Sequence, residues 1–302
     1  ELNLHGSLSI KELQNVENPS DALAVDLKNK THLLAVKLEW DWDWNPDDSM
    51  KERDEIVIEN LQPSKHLERL AIRNYGGKQF PSWLFNNSLL NVASLTLDNC
   101  KSCRRLPTLG LLPCLKKLII AGLNGILRID AEFYGNSSSS FTSLETLEFW
   151  NMKEWVKWEC EDVTGAFPRL TDLYIYSCPK LKGHLPGQLL CLQTLRIVRC
   201  PQLMFPEGGL PSSLKEMSLQ DCPKIEMFPE GGLPSSLKEI DLYGCSKLIY
   251  SLKSALGGNH SLESLYIGGV DVECLPEEGV LPHSLVSLWI SNCVNLKRLE
   301  YK

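Results

Sequence analysis

Residues Ser213–Pro234 read SLKEMSLQDCPKIEMFPEGGLP, and the thirteen residues MFPEGGLPSSLKE at Met204–Glu216 return unchanged at Met227–Glu239. Neither copy holds a group suited to chemistry, so a duplicated active site does not explain them. The surrounding sequence does. TDLYIYSCPKL (Thr171–Leu181), QTLRIVRCPQL (Gln193–Leu203), KEMSLQDCPKI (Lys215–Ile225), KEIDLYGCSKL (Lys238–Leu248) and VSLWISNCVNL (Val286–Leu296) align without gaps. Their shared pattern is L-x-x-L-x-L/I-x-x-C-x-x-L/I.

This is the pattern of a leucine-rich repeat. With the second apolar position as ruler, the units fall at Leu8, Val36, Leu70, Leu95, Leu118, Leu147, Leu173, Leu195, Met217, Ile240, Leu265 and Leu288. Successive spacings are 28, 34, 25, 23, 29, 26, 22, 22, 23, 25 and 23 residues. About twelve coils fill residues 1–302, which predicts a single repeat domain. The identical copies are then one coil and its neighbour. L-x-L alternation places both apolar side chains on one face of a short strand. One coil cannot bury its leucines alone, and stacking closes a continuous core. The expected fold is an α/β solenoid, a horseshoe lined by a concave parallel sheet.

The return segments set the outer face. Pro206, Gly208, Gly209 and Pro211 resist a regular helix, so irregular and 3-10 segments are expected on the later coils. The early coils differ. In NPSDALAVDLKNK, Asn18 suits an N-cap, Pro19 the first helical position, and Leu23 and Leu27 lie one turn apart. SMKERDEIVIENLQP also reads as a helix, with Ile56, Val57 and Leu61 before Pro63. Both ends read as cut, with Glu1 inside a coil and Leu296–Lys302 lacking a polar capping unit.

Hydrophobic residues make up 43% of the chain and charged residues 23%, the balance of a folded soluble protein. The net charge of -7 argues against a nucleic-acid partner, which needs a basic footprint. No apolar run is long enough for a membrane span. The six histidines are scattered, and phosphate-loop and zinc-protease motifs do not occur. A non-enzymatic chain without a cofactor is expected.

Six cysteines stand five positions after the ruler residue: Cys100, Cys178, Cys200, Cys222, Cys245 and Cys293. Leu13, Leu123, Met152 and Val270 hold the same place in other coils, so the thiols read as buried small hydrophobes and weak donors. Adjacent strands lie roughly 4.8 Å apart, within disulfide reach, so consecutive thiols favour a reducing cytosol or nucleus. CKSC (Cys100–Cys103) lacks a second ligand pair, which weighs against zinc. Sequons at Asn29, Asn86, Asn136 and Asn259 are a weak contrary signal.

Residues between or just after the strand leucines point away from the core. Trp150, Tyr174, Tyr176, Arg196, Arg199, Asp241, Tyr243, Tyr266 and Trp289 form the candidate binding strip, since aromatic and Arg side chains dominate interfaces. Cross-strand packing of bulky residues is the competing explanation. Lys37, Glu39 and Arg73 continue the face on the early coils. Within the longest interval, Trp40, Trp42 and Trp44 alternate with Asp41 and Asp43 ahead of further acids. This segment reads as a strand end running into an acidic loop, either touching a basic neighbour or simply solvated.

LSIKELQNVENPSDALAVDLKNKTHLLAVKLEW (Leu8–Trp40), YGGKQFPSWL (Tyr75–Leu84), CKSCRRLPTLGLLPCLKKLII (Cys100–Ile120), AEFYG (Ala131–Gly135), WVKW (Trp155–Trp158) and FPRLTDLYIYSCPKL (Phe167–Leu181) follow in that order. The ordered set resembles the repeat domain of plant coiled-coil nucleotide-binding leucine-rich-repeat disease-resistance proteins. The resemblance implies a cytoplasmic or nuclear immune-receptor module. Its partners would be a pathogen effector or an effector-modified host protein, and the receptor's own nucleotide-binding domain, held inactive. The early coils would face that domain and the later coils the ligand. Two competing classes are a substrate receptor of a ubiquitin ligase and a cell-surface receptor ectodomain.

Overall fold

The structure, a computed structural model, describes residues 4–86, 88–135, 140–159, 165–256, 259–275 and 281–299. Two compact units are present, Glu1–Pro168 and Arg169–Lys302. The first unit is built on six parallel strands: β1 (Gly6–Ile10), β2 (Leu33–Glu39), β3 (Arg69–Arg73), β4 (Ser94–Asp98), β5 (Lys117–Ala121) and β6 (Thr146–Trp150). Leu8, Val36, Leu70, Leu95, Leu118 and Leu147 stand directly in register across it. The second unit repeats the plan with β7 (Asp172–Tyr176), β8 (Thr194–Val198), β9 (Glu216–Gln220), β10 (Glu239–Tyr243), β11 (Ser264–Gly268) and β12 (Ser287–Ser291). Its register runs Leu173, Leu195, Met217, Ile240, Leu265, Leu288. Each ruler residue therefore marks a strand, and the L-x-L pattern fixes the inward face.

The two copies of the thirteen-residue stretch lie one above the other. Phe205 stacks on Phe228 at 6.1 Å between ring centroids. Both copies close the same turns, Leu214 N–H to Pro211 O and Leu237 N–H to Pro234 O, each at 3.1 Å. Ser236 Oγ in the second copy donates to Ser212 O in the first at 2.6 Å.

Both expected early helices form. Helix α1 (Pro19–Ala24) is capped by Asn18 Oδ1, which accepts from Ser20 N–H at 3.1 Å. It ends before the pattern predicted: Leu27 is buried in a following 3-10 turn, whereas Leu23 is 61% exposed. Helix α2 (Asp48–Asn60) is capped by Asp47, and it turns Asp54, Val57 and Ile58 inward, leaving Ile56 exposed. A third, one-turn helix, α3, spans Ala131–Tyr134. The later coils depart from expectation at α4 (Ser246–Leu256), a full helix on a coil expected to be irregular. Leu248, Ile249, Leu252, Ala255 and Leu256 are buried at helical spacing, and the segment contains no proline or glycine. That local pattern overrides the turn-rich composition of its neighbours.

The corner after each strand follows one geometry. Eleven of twelve coils place the residue four positions beyond the ruler in the left-handed region. Asn74, Asn99, Asn151, Asn292, Gly122, Gly244 and Gly269 suit that conformation, and Glu12, Ser177, Arg199 and Asp221 share it. Its N–H donates to the next strand, as Ser177 N–H does to Val198 O at 2.8 Å. The next residue turns inward, and Cys100, Cys178, Cys200, Cys222 and Cys245 are buried there. Each thiol bonds its own strand, as Cys222 Sγ does to Gln220 O at 3.2 Å. Most also reach the strand before, as Cys222 does to Ile197 O at 3.6 Å. Burial pushes the Cys100 and Cys222 thiols up to about 12, so both stay protonated donors at neutral pH. Cys293, on the last coil, is only half-buried.

Trp40, Trp42 and Trp44 do not continue a strand, because β2 ends at Glu39. Trp40 is buried at 1% exposure against Tyr75, with ring centroids 5.0 Å apart, and cannot serve as a surface contact. Trp44 Nε1 donates to the buried Asp54 Oδ2 at 2.7 Å, and only Trp42 is freely exposed, at 75%. The acids that follow are structural. Glu55 accepts from Lys78 N–H at 2.7 Å, and Glu59 accepts from Ser82 N–H at 2.8 Å, so α2 holds the YGGKQFPSWL loop. Gly76 is required there, since a Cβ would stand 2.6 Å from Asp54 Oδ2. Part of the segment is therefore structural, while Asp41, Trp42, Asp43 and Glu52 remain exposed.

Asp54 gives a pH dependence of definite sign. Burial raises its pKa above 3.8, opposed by the Trp44 hydrogen bond. The folded state therefore binds that proton more tightly than the unfolded state. Asp54 contributes stability below pH 3.8 that is lost as pH rises through the folded pKa. Asp54→Asn should remove this loss, so the urea midpoint of the variant relative to the native chain should increase from pH 4 to pH 7. A difference that stays flat with pH would show that Asp54 titrates as it does in the unfolded chain.

Candidate protein-binding face

In each unit, the strand positions beside the ruler residue project onto the solvent side of the sheet. On the first unit this face is charged and internally paired. Lys37 Nζ lies 2.6 Å from Glu39, and Arg73 Nε lies 3.7 Å from Asp98. Burial raises the Asp98 pKa, and the Arg73 guanidinium opposes that rise. Lys117 bridges Glu148 at 2.8 Å, and Glu148 accepts from Trp150 Nε1 at 2.9 Å. Trp150 is thus half-buried on the last strand of the first unit, tied to an acid beside it.

The second unit carries the other eight candidate residues, and its face is aromatic. Tyr174 and Tyr176 stack at 6.4 Å with planes 13° apart. Tyr266 and Trp289, opposite one another on β11 and β12, stack at 4.0 Å with planes 1° apart. Tyr243 lies over Gly268 and Gly269: a Cβ on Gly268 would stand 2.7 Å from its ring, and one on Gly269 2.9 Å. These glycines are what allow the phenol to lie flat. Asn292 Nδ2 donates to its hydroxyl at 3.2 Å. Trp289 remains 46% exposed and Tyr243 36%.

Polar groups separate the aromatic pairs. Asp241 Oδ2 accepts from Ser218 Oγ and Gln220 Nε2, both at 2.9 Å. Ser218 and Gln220 escaped the sequence reading because neither is bulky or charged; their strand positions were the available signal. Arg196 lies 3.6 Å from Glu216 and Arg199 lies 4.0 Å from Asp221. Arg199 is exposed and holds the left-handed corner at φ 53°, a conformation costing a non-glycine residue roughly 1 kcal/mol. It stands one residue past the strand, so it reaches the face from the corner.

No group of three or more His, Cys, Asp or Glu side chains suited to a metal occurs among the described residues. Cys103 of CKSC is buried and donates to Gly77 O at 3.3 Å. Asn259 is 1% exposed, with its amide donating to Pro234 O at 2.6 Å, and so is closed to glycosylation in the folded unit. The sequon at Asn136 lies outside the described residues. No helix among the described residues is long and apolar enough to cross a membrane.

Residues 1–123 match the family model for R13L1/DRL21 leucine-rich repeats. The chain is 34% identical over 98% of its length to RPP13-like protein 1 of Arabidopsis thaliana, described as a disease-resistance protein, and covers 30% of that protein. It is 30% identical over 73% of its length to disease resistance protein RGA2 of Solanum bulbocastanum, covering 23% of it. The chain thus spans less than a third of the length of these relatives. Among solved structures, the leucine-rich-repeat domain of the type III effector XopL matches with a TM-score of 0.52 at 17% identity, over 78% of this chain and 76% of that one. That likeness shows the fold.

Proposed function

Because the chain belongs to the leucine-rich-repeat regions of plant disease-resistance proteins, we propose that it is the recognition and autoinhibition module of an intracellular immune receptor. The aromatic face of the second unit binds a pathogen effector or an effector-modified host protein. The paired charges Lys37, Glu39 and Arg73, with exposed Trp42, contact the receptor's nucleotide-binding switch domain and favour its inactive state. Binding shifts that equilibrium only through higher affinity for the active form. The module itself is non-catalytic, and nucleotide exchange belongs to the switch domain. Its cytoplasmic or nuclear placement is supported by thiols on four consecutive coils, Cys178 to Cys245, which an oxidising compartment would put at risk of cross-linking. We take the two units as one domain, because the spacing from Leu147 to Leu173, 26 residues, stays within the repeat.

The observation that carries the reading is the half-exposed Trp289, stacked on Tyr266 beside a flat, exposed Tyr243. Stacked aromatics with open faces are the side chains that yield most on interface burial. In the full-length receptor, replacing Tyr174, Tyr176, Tyr243 and Trp289 together by alanine should weaken partner binding at least a hundredfold, at roughly 1 kcal/mol or more per residue. Unchanged binding by a variant with native circular dichroism would remove this surface from recognition.

A further inference from the structure

The first unit contains a cavity of about 720 Å³ that recognition by the aromatic face does not use. Its cations are Lys51, Lys78, Lys101, Arg104, Arg105 and Arg128, and its acids are Asp48, Asp130 and Glu132, a balance of 6 − 3 = +3 in a chain of net charge -7. The six come from four successive coils: α2, the loop after β3, the loop after β4 and the segment after β5. All six line one depression.

Internal pairing leaves part of this charge unspent. Asp48 Oδ1 is shared by Lys78 at 3.1 Å and Lys51 at 3.5 Å, and both hold its pKa low. Asp130 is engaged in capping α3 through Glu132 N–H at 3.0 Å. Arg105 meets Glu132 and Arg128 meets Glu159, each at 3.3 Å. Lys101 and Arg104 have no carboxylate within 4.0 Å among the described residues. The loop that carries them is fixed from below. Cys100 and Cys103 are buried under it, and a Cβ on Gly125 would stand 2.2 Å from Cys103 O. The CKSC motif therefore sets cations in place.

We infer that this cavity is a binding site for a compact polyanion bearing several phosphate groups. Three of the cations are arginines, whose planar forks match phosphate oxygens two at a time. The volume lies in the range of small-molecule sites. Six cations converging on one depression suit a compact ligand of high charge density.

Tripolyphosphate is the probe, titrated calorimetrically into the full chain at about 0.15 M salt. One saturable site is expected, weakening as salt rises. Lys101→Glu with Arg104→Glu should weaken it at least tenfold, and Lys101→Gln with Arg104→Gln serves if the reversal disturbs folding. Lys215→Glu with Lys238→Glu, in the second unit, should leave affinity within twofold. No saturable binding by the native chain overturns the inference, as does an equal loss in the second-unit variant. Tighter binding of a poly-glutamate peptide than of tripolyphosphate overturns it in favour of an acidic protein segment.

Discussion

Trp155→Ala should destabilise the first unit by about 3–5 kcal/mol, the range for deleting a large buried aromatic. Trp155 is fully buried, its centroid 4.6 Å from Phe149 and 5.5 Å from Trp158. Its Nε1 donates to Lys157 O at 2.9 Å, so truncation also removes a hydrogen bond. Trp158 in turn donates to Tyr134 OH at 2.6 Å, and Tyr134 meets Phe141 and Phe167 edge-on. The segments AEFYG, WVKW and FPRL, separate in sequence, supply one aromatic core. Neighbouring rings are pinned by these bonds and cannot collapse into the hole. Urea unfolding monitored by tryptophan fluorescence would measure the loss. A change below about 1 kcal/mol would mean that the cluster repacks, contrary to a jigsaw-tight interior.

Gly110→Ala is expected to cost about 3 kcal/mol, the upper end for forcing volume into a packed site. A Cβ there would stand 2.1 Å from Tyr134 O, and a carbonyl cannot rotate away as a side chain can. Gly110 O also accepts from Phe141 N–H at 2.8 Å, which ties the loop to the start of the next coil. Gly165→Ala is the matched control, since its Cβ would meet nothing within 4 Å, although its φ of 74° brings a smaller backbone cost. Thermal unfolding of both variants decides the point. Equal melting temperatures would show that the close approach relaxes cheaply.

Much of the fold was legible in the sequence because one rule generates it. The L-x-L alternation gave each strand and its register, and the residue five places on gave the buried thiols. The failures occurred where packing between coils outweighed the local pattern. Trp40 and Asp54 read as surface groups because they lie in an acidic, tryptophan-rich run. Trp40 is buried against Tyr75, and Asp54 is buried where Gly76 lets the next coil close over it. Leu23 fits a helical stripe, yet α1 stops at Ala24, so the next buried leucine is Leu27. For the candidate face, position alone identified the aromatic side chains. The Tyr266–Trp289 stack and the Asp241 network depend on cross-strand geometry that no single coil encodes. Arg199 was found by its type, whereas its left-handed backbone appears only in the folded corner.

The superposition of two identical stretches, Phe205 over Phe228 and Ser212 beneath Ser236, has a consequence for how such a repeat array can change its surface. Gaining or losing one such module would shift every downstream side chain along the sheet by one inter-strand step, roughly 4.8 Å. The hydrogen-bond ladder would be rebuilt from the same letters, so no new packing problem would arise. Genetic copying of a single unit could thereby re-space the exposed side chains of the face without any point mutation among them.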